Sequence, residues 1–137
     1  MKVLRRILLF VILGLIACSC TNNSSYERLL SSLLEKNIDL QDYSVVVIIP
    51  GAGCTGCISQ AEDFFRQQMS REDHLFIFTN ITSLKTLKLK MENIDIENLD
   101  NTIIDKENLY DIQENQECIY PHIAIVENGR IKEVSRL

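Results

Sequence analysis

Cys54 and Cys57 lie two residues apart, directly after an apolar run, in the stretch Ile48 to Phe65, IIPGAGCTGCISQAEDFF. Two thiols at this spacing can cycle between dithiol and disulfide, form half of a metal site, or simply lie close together. A bond between them closes a ring of four residues. Short loops restrict an unfolded chain little, so the pair suits cycling better than stapling. A cysteine that opens a helix meets unpaired N–H groups and a partial positive charge, which favour thiolate over thiol. Cys54 is expected there. Cys57, one turn in, is within disulfide reach and is expected to be more covered, so it is the second thiol to react. Thr55 and Gly56 add no charge to the loop.

The flanking sequence supplies elements that can hold such a loop. Tyr43 to Ile49, YSVVVII, is β-branched and apolar without alternation, as for a central strand covered on both faces, and Pro50, Gly51 and Gly53 end it. From Thr55 to about Ser70, the residues Ile58, Ala61, Phe64, Phe65 and Met69 fall on one helical face. Before the strand, Tyr26, Leu29, Leu30, Leu33 and Leu34 form the inward stripe of another helix. His74 to Thr79, HLFIFT, is a second strand. Asn80 or Thr82 can cap a third helix with Leu84, Leu87 and Met91 inward. Lys85, Lys88 and Lys90 on that helix form either a basic docking patch or an ordinary solvated face. Asn93 to Asn101 carries no clear pattern. Thr102 to Asp105 reads as a short strand, followed by an irregular or helical piece through Gln113. His122 to Val126 and Arg130 to Val134 flank Asn128-Gly129, a strong hairpin signal. Strands alternating with helices and a closing hairpin predict one α/β domain, a mixed sheet with helices on both faces.

The N-terminus bears on compartment. Lys2, Arg5 and Arg6 precede the apolar run Ile7 to Ile16, too short for a stable membrane span but suited to a secretory signal. Leu15-Ile16-Ala17-Cys18 resembles the lipobox of bacterial lipoproteins, which implies lipidation of Cys18, a signal peptide over 1–17 and a polar tether over 18–25. An ordinary signal peptide or an N-terminal anchor is the alternative. Ser19 follows, so the Asp that marks inner-membrane retention is absent. Of the 14 basic residues, Lys2, Arg5 and Arg6 fall within 1–17, and none of the 19 acidic ones does; removing the segment takes the net charge from −5 to −8. That argues against a nucleic-acid partner. In an oxidising compartment Cys20, Cys54, Cys57 and Cys118 would remain unacylated.

With the strand, the Cys54-Thr-Gly-Cys57 helix start and Tyr120-Pro121 before HIAIVENGRIKEV, residues 26–137 resemble the thioredoxin superfamily. TIIDKENLY is also similar to an added strand segment of its membrane-tethered, periplasm-facing members. The resemblance implies a thioredoxin-like fold and thiol–disulfide exchange without a cofactor, with Cys54 attacking and Cys57 resolving. It also implies a cis Pro121 beside the disulfide and a Tyr120 backbone that docks extended substrate. The implied partners are disulfides or thiols of exported proteins and an upstream electron donor, with the membrane reached through the lipid anchor. Gly53 stands where the family usually has Trp, and VVVII lacks the usual buried acid beneath the cysteines. These departures favour a rival reading, a redox-inactive binding module. A copper or zinc carrier using Cys54, Cys57 and His122 is a further rival, although a strand residue just past the proline is expected to point away from the cysteines. Cys118 is either a third thiol near the pair or a half-buried spectator.

Overall fold

The computed structural model describes residues 25–92, 94–112 and 119–137. The 1–17 segment, the tether up to residue 24, Cys18, Cys20 and Cys118 therefore lie outside the described residues. The run after Asp42 forms the centre of the sheet: β1 (Val45–Pro50) pairs in parallel with β2 (His74–Thr79) and antiparallel with β4 (His122–Glu127). The edges are β3 (Thr102–Ile104), parallel to β2, and β5 (Arg130–Arg136), antiparallel to β4. The order is β3-β2-β1-β4-β5, so the strand that leads into the cysteines is the middle one.

Successive strand residues point to opposite faces, which explains why the β1 sequence does not alternate. Val46 and Ile48, with Leu75 and Ile77 of β2, pack beneath α1 (Ser25–Asn37), where Tyr26, Leu30 and Leu34 are buried. Val47 and Ile49, with Phe76 and Phe78, pack against Ala61 and Phe65 of α2 (Thr55–Gln68) and Leu87 of α3 (Leu84–Lys90). The Phe65 ring meets those of Phe76 and Phe78 edge-on at 5.0 and 5.1 Å. The described residues thus form an α/β domain, a mixed five-stranded sheet flanked by three helices and compatible with a thioredoxin-like fold.

Asn128 and Gly129 both have positive φ, +53° and +73°, the pair of values that a two-residue I′ turn requires. Two local expectations need correction, and two open readings are resolved. Leu29 is half-exposed, because the buried stripe of α1 runs through Tyr26, Leu30 and Leu34 and leaves it on the margin. The cap of α3 is Ser83, whose hydroxyl accepts the Thr86 N–H, rather than Asn80 or Thr82. Residues 94–101, which carry no clear pattern in sequence, form turns that bury Ile96, and after β3 the irregular reading holds over 105–112 rather than the helical one. Among the three lysines, Lys88 is paired with Glu97 and Lys90 with Glu62, so the α3 face is largely neutralised rather than a basic patch.

At the β5 edge, the Ile131 N–H does not wait for another strand. It donates to Glu35 Oε1 of α1 at 2.8 Å.

Candidate redox site

Chain direction places the site. β1 ends at Pro50, and three small, exposed residues, Gly51, Ala52 and Gly53, carry the chain to Cys54, the N-cap of α2. Cys54 is extended, φ −65° and ψ 101°, its C=O accepts the Ile58 N–H at 2.9 Å, and its side chain makes no capping hydrogen bond. An N-cap side chain ordinarily accepts an N–H from the first turn. Here that position is held by a sulfur bonded to Cys57, with the two Cα atoms 5.4 Å apart. Both cysteines are half-buried, so the expected difference in cover between them is not pronounced. No Asp, Glu, Lys or Arg occurs between Asp42 and Glu62, which leaves the redox loop itself uncharged.

The second wall of the site comes from the segment before β4, but not in the expected form. Among the described residues no peptide bond is cis, so Tyr120–Pro121 is trans and the cis-proline expectation is corrected. Trans is the intrinsically favoured isomer even before proline. Here it leads a buried Pro121, whose C=O accepts the Leu137 N–H at 3.1 Å, directly into the β4–β5 ladder. The backbone group that meets the redox loop belongs to Ile119: its C=O accepts the Cys54 N–H at 3.1 Å. Tyr120 follows, half-buried, with the Arg136 guanidinium 4.4 Å from its ring centroid.

His122 lies on the α1 face with Ala124 and Val126, where its Nδ1 is 3.0 Å from the Tyr26 hydroxyl, whereas α2 packs on the opposite face. It points away from the redox helix, as strand alternation requires. Among the described residues no three His, Cys, Asp or Glu side chains gather as a set of metal ligands.

β1 carries no Asp or Glu. A buried carboxylate is present on α2: Glu62 Oε1 is 3.3 Å from Lys90 Nζ on α3. With Pro50, Gly51, Thr86 and Lys90 it lines a pocket of about 40 Å³, room for ordered water. The available signal was a charged residue four positions after Ile58, within the apolar stripe of Ile58, Ala61 and Phe65. Ile119 gave no such signal, because it acts through its main chain.

Comparison of the chain with protein-family models, curated proteins and solved structures gives no match in any of the three. The fold and the close Cys54–Cys57 pair are compatible with a thioredoxin-like protein and with thiol–disulfide chemistry.

Proposed function

We propose that this protein is a thiol–disulfide oxidoreductase, held to the bacterial cell envelope through a lipid on Cys18 and acting on disulfides of exported proteins. The observation that carries the redox reading is the placement of a Cys54–Cys57 disulfide at the N-terminus of α2, straight after the central strand, with Cys54 as N-cap. In the dithiol form, a Cys54 thiolate would accept the first-turn N–H groups that α2 leaves without intrahelical partners.

The reaction balances as two exchanges. The Cys54 thiolate attacks one sulfur of a client disulfide; a Cys54–client bond forms, the client bond breaks, and the other client sulfur leaves as thiolate and takes a proton. The Cys57 thiolate then attacks Cys54, closing the Cys54–Cys57 bond and releasing the second client thiol. The client gains two electrons and the protein loses two, so turnover needs an external dithiol donor. Run in reverse, the same steps oxidise a client. Tyr120 and Pro121 remain the proposed docking wall, now on the strength of their adjacency to Ile119 alone.

One observation favours the rival binding module: the trans Tyr120–Pro121 bond removes the cis bend by which Tyr120 was expected to present its backbone. Cys57→Ser separates the two. The redox reading expects mixed disulfides between Cys54 and client proteins, visible as adducts on non-reducing gels and lost with reductant. Equal trapping by Cys54→Ser would reverse the two roles, and adducts with neither variant would favour the binding module.

A further inference from the structure

Gly53, next to the cysteine, has φ +141°, a conformation that L side chains rarely adopt. A Cβ built there would lie 2.3 Å from the Ile119 carbonyl oxygen and 2.9 Å from the Ile119 Cβ. The same oxygen accepts the Cys54 N–H. The absent side chain at 53 and the hydrogen bond at 54 are therefore parts of one contact: the 119 main chain can reach Cys54 only because residue 53 has no Cβ. This also accounts for the missing aromatic flank, since no side chain fits between the two segments.

The contact fixes Cys54 from both sides. Its N–H is tied to the segment that leads into β4, and its C=O to Ile58 within α2. With both flanking peptide groups held by different elements, rotation of the Cys54 side chain is the main freedom left. Thiol–disulfide exchange needs an aligned approach of the attacking sulfur, and loss of alignment by about 1 Å can cost on the order of a hundredfold in rate. Because the Cys54 N–H is already engaged, the donors left for its sulfur are those of the first turn of α2.

We infer that Gly53 and the Ile119 carbonyl form a backbone lock that positions Cys54 for exchange, with Gly53 a positioning residue of the redox site. The inference rests on the redox reading above and adds a residue to it.

The test uses the full, reduced chain and two probes, a small aromatic disulfide and insulin. Gly53→Ala is compared with Gly129→Ala, a matched control: Gly129 also has positive φ, and its Cβ would lie 2.2 Å from the Gln41 side-chain nitrogen, in the hairpin turn rather than at the cysteines. Gly129→Ala should lower the melting temperature and leave exchange at the wild-type rate. Gly53→Ala should slow exchange with both probes by about tenfold to a hundredfold and move the pH midpoint of Cys54 alkylation. A folded Gly53→Ala protein with wild-type rate and pH midpoint overturns the lock, as does equal slowing in Gly129→Ala. If Gly53→Ala does not fold, Ile119→Gly decides, since it introduces no clash and loosens the main chain at 119: slowed exchange supports the lock and an unchanged rate overturns it. If wild type itself exchanges with neither probe, it is the redox reading that fails.

Discussion

Reducing the Cys54–Cys57 bond should destabilise the fold by an amount that depends on pH, and its size follows from where the pair sits. The cysteines are three positions apart, so the bond closes a ring of four residues. Chain entropy for a ring of that length favours the oxidised protein by about 2 kcal/mol. The reduced protein has an offset of its own. As the N-cap of α2, a Cys54 thiolate gains about 0.3–1 kcal/mol from the helix terminus, and up to about 2 kcal/mol in favourable geometry. A neutral thiol gains little. The folded chain therefore favours the thiolate more than the unfolded chain does, and over the titration window the unfolded state binds more protons. Stability of the reduced form then rises with pH and levels off above the ordinary thiol range near about 8.5. The oxidised-minus-reduced gap should be about 2 kcal/mol at pH 5 and about 1–1.7 kcal/mol at pH 9, approaching zero in the most favourable helix-terminus geometry. Urea unfolding of both forms at the two pH values measures it, with Cys54→Ser/Cys57→Ser as the reference that lacks both groups. Groups common to both forms cancel in the difference. A gap that is the same at both pH values would refute stabilisation of the thiolate by α2. A gap above about 4 kcal/mol, the size expected of a long structural loop, would mean that the bond serves to hold the fold.

Two further outcomes are expected. Asp73 is held well below the usual carboxylate range, first by the hydrogen bond from Arg71 and then by Ser44 and His74. A depressed carboxylate stabilises the fold above the unfolded value of about 4 and progressively less below it, so Asp73→Asn should melt below wild type at pH 7, with the difference closing as pH falls under about 4; a difference constant down to pH 2.5 would refute the assignment. Cys18→Ala should abolish incorporation of labelled fatty acid in cells, and incorporation that survives would move the lipidation site to Cys20.

Much of this architecture could be read from residue patterns, for identifiable reasons. The unalternating VVVII run demanded cover on both faces, and the structure supplies it with α1 on one side and α2 and α3 on the other. Asn128-Gly129 specified its own turn, because positive φ at two successive residues is costly for most other pairs. The contact at Cys54 was not legible in the same way. A carbonyl oxygen is the same on every residue, so nothing in the identity of Ile119 announces that it accepts the Cys54 N–H. Its trace lies at the other end of the contact, in a glycine beside a cysteine, where by side-chain type only the lack of an aromatic flank is visible. Glu62 is legible only as a charged residue within the apolar stripe of α2, and its burial against Lys90 of α3 follows from how the two helices pack. The basic-patch reading of the α3 lysines stayed open because their partners lie off the helix, Glu97 in the turns that follow it and Glu62 on α2. Chemistry carried by side-chain type was visible, and chemistry carried by main-chain approach was not.

The carboxylate of Glu35 on the Ile131 N–H has a consequence for how other chains can approach. A sheet margin with free amides invites a peptide to join as an extra strand. On the β5 side, an incoming segment would first have to displace Glu35 and then pass Arg130, Lys132 and Arg136, all exposed. On the β3 side the margin is only three residues long. Both margins are poor templates, so self-association by lateral strand addition is disfavoured. Approach at the end of β1 involves no such competition, and there the chain turns through exposed Gly51, Ala52 and Gly53 to the half-buried Cys54–Cys57 pair.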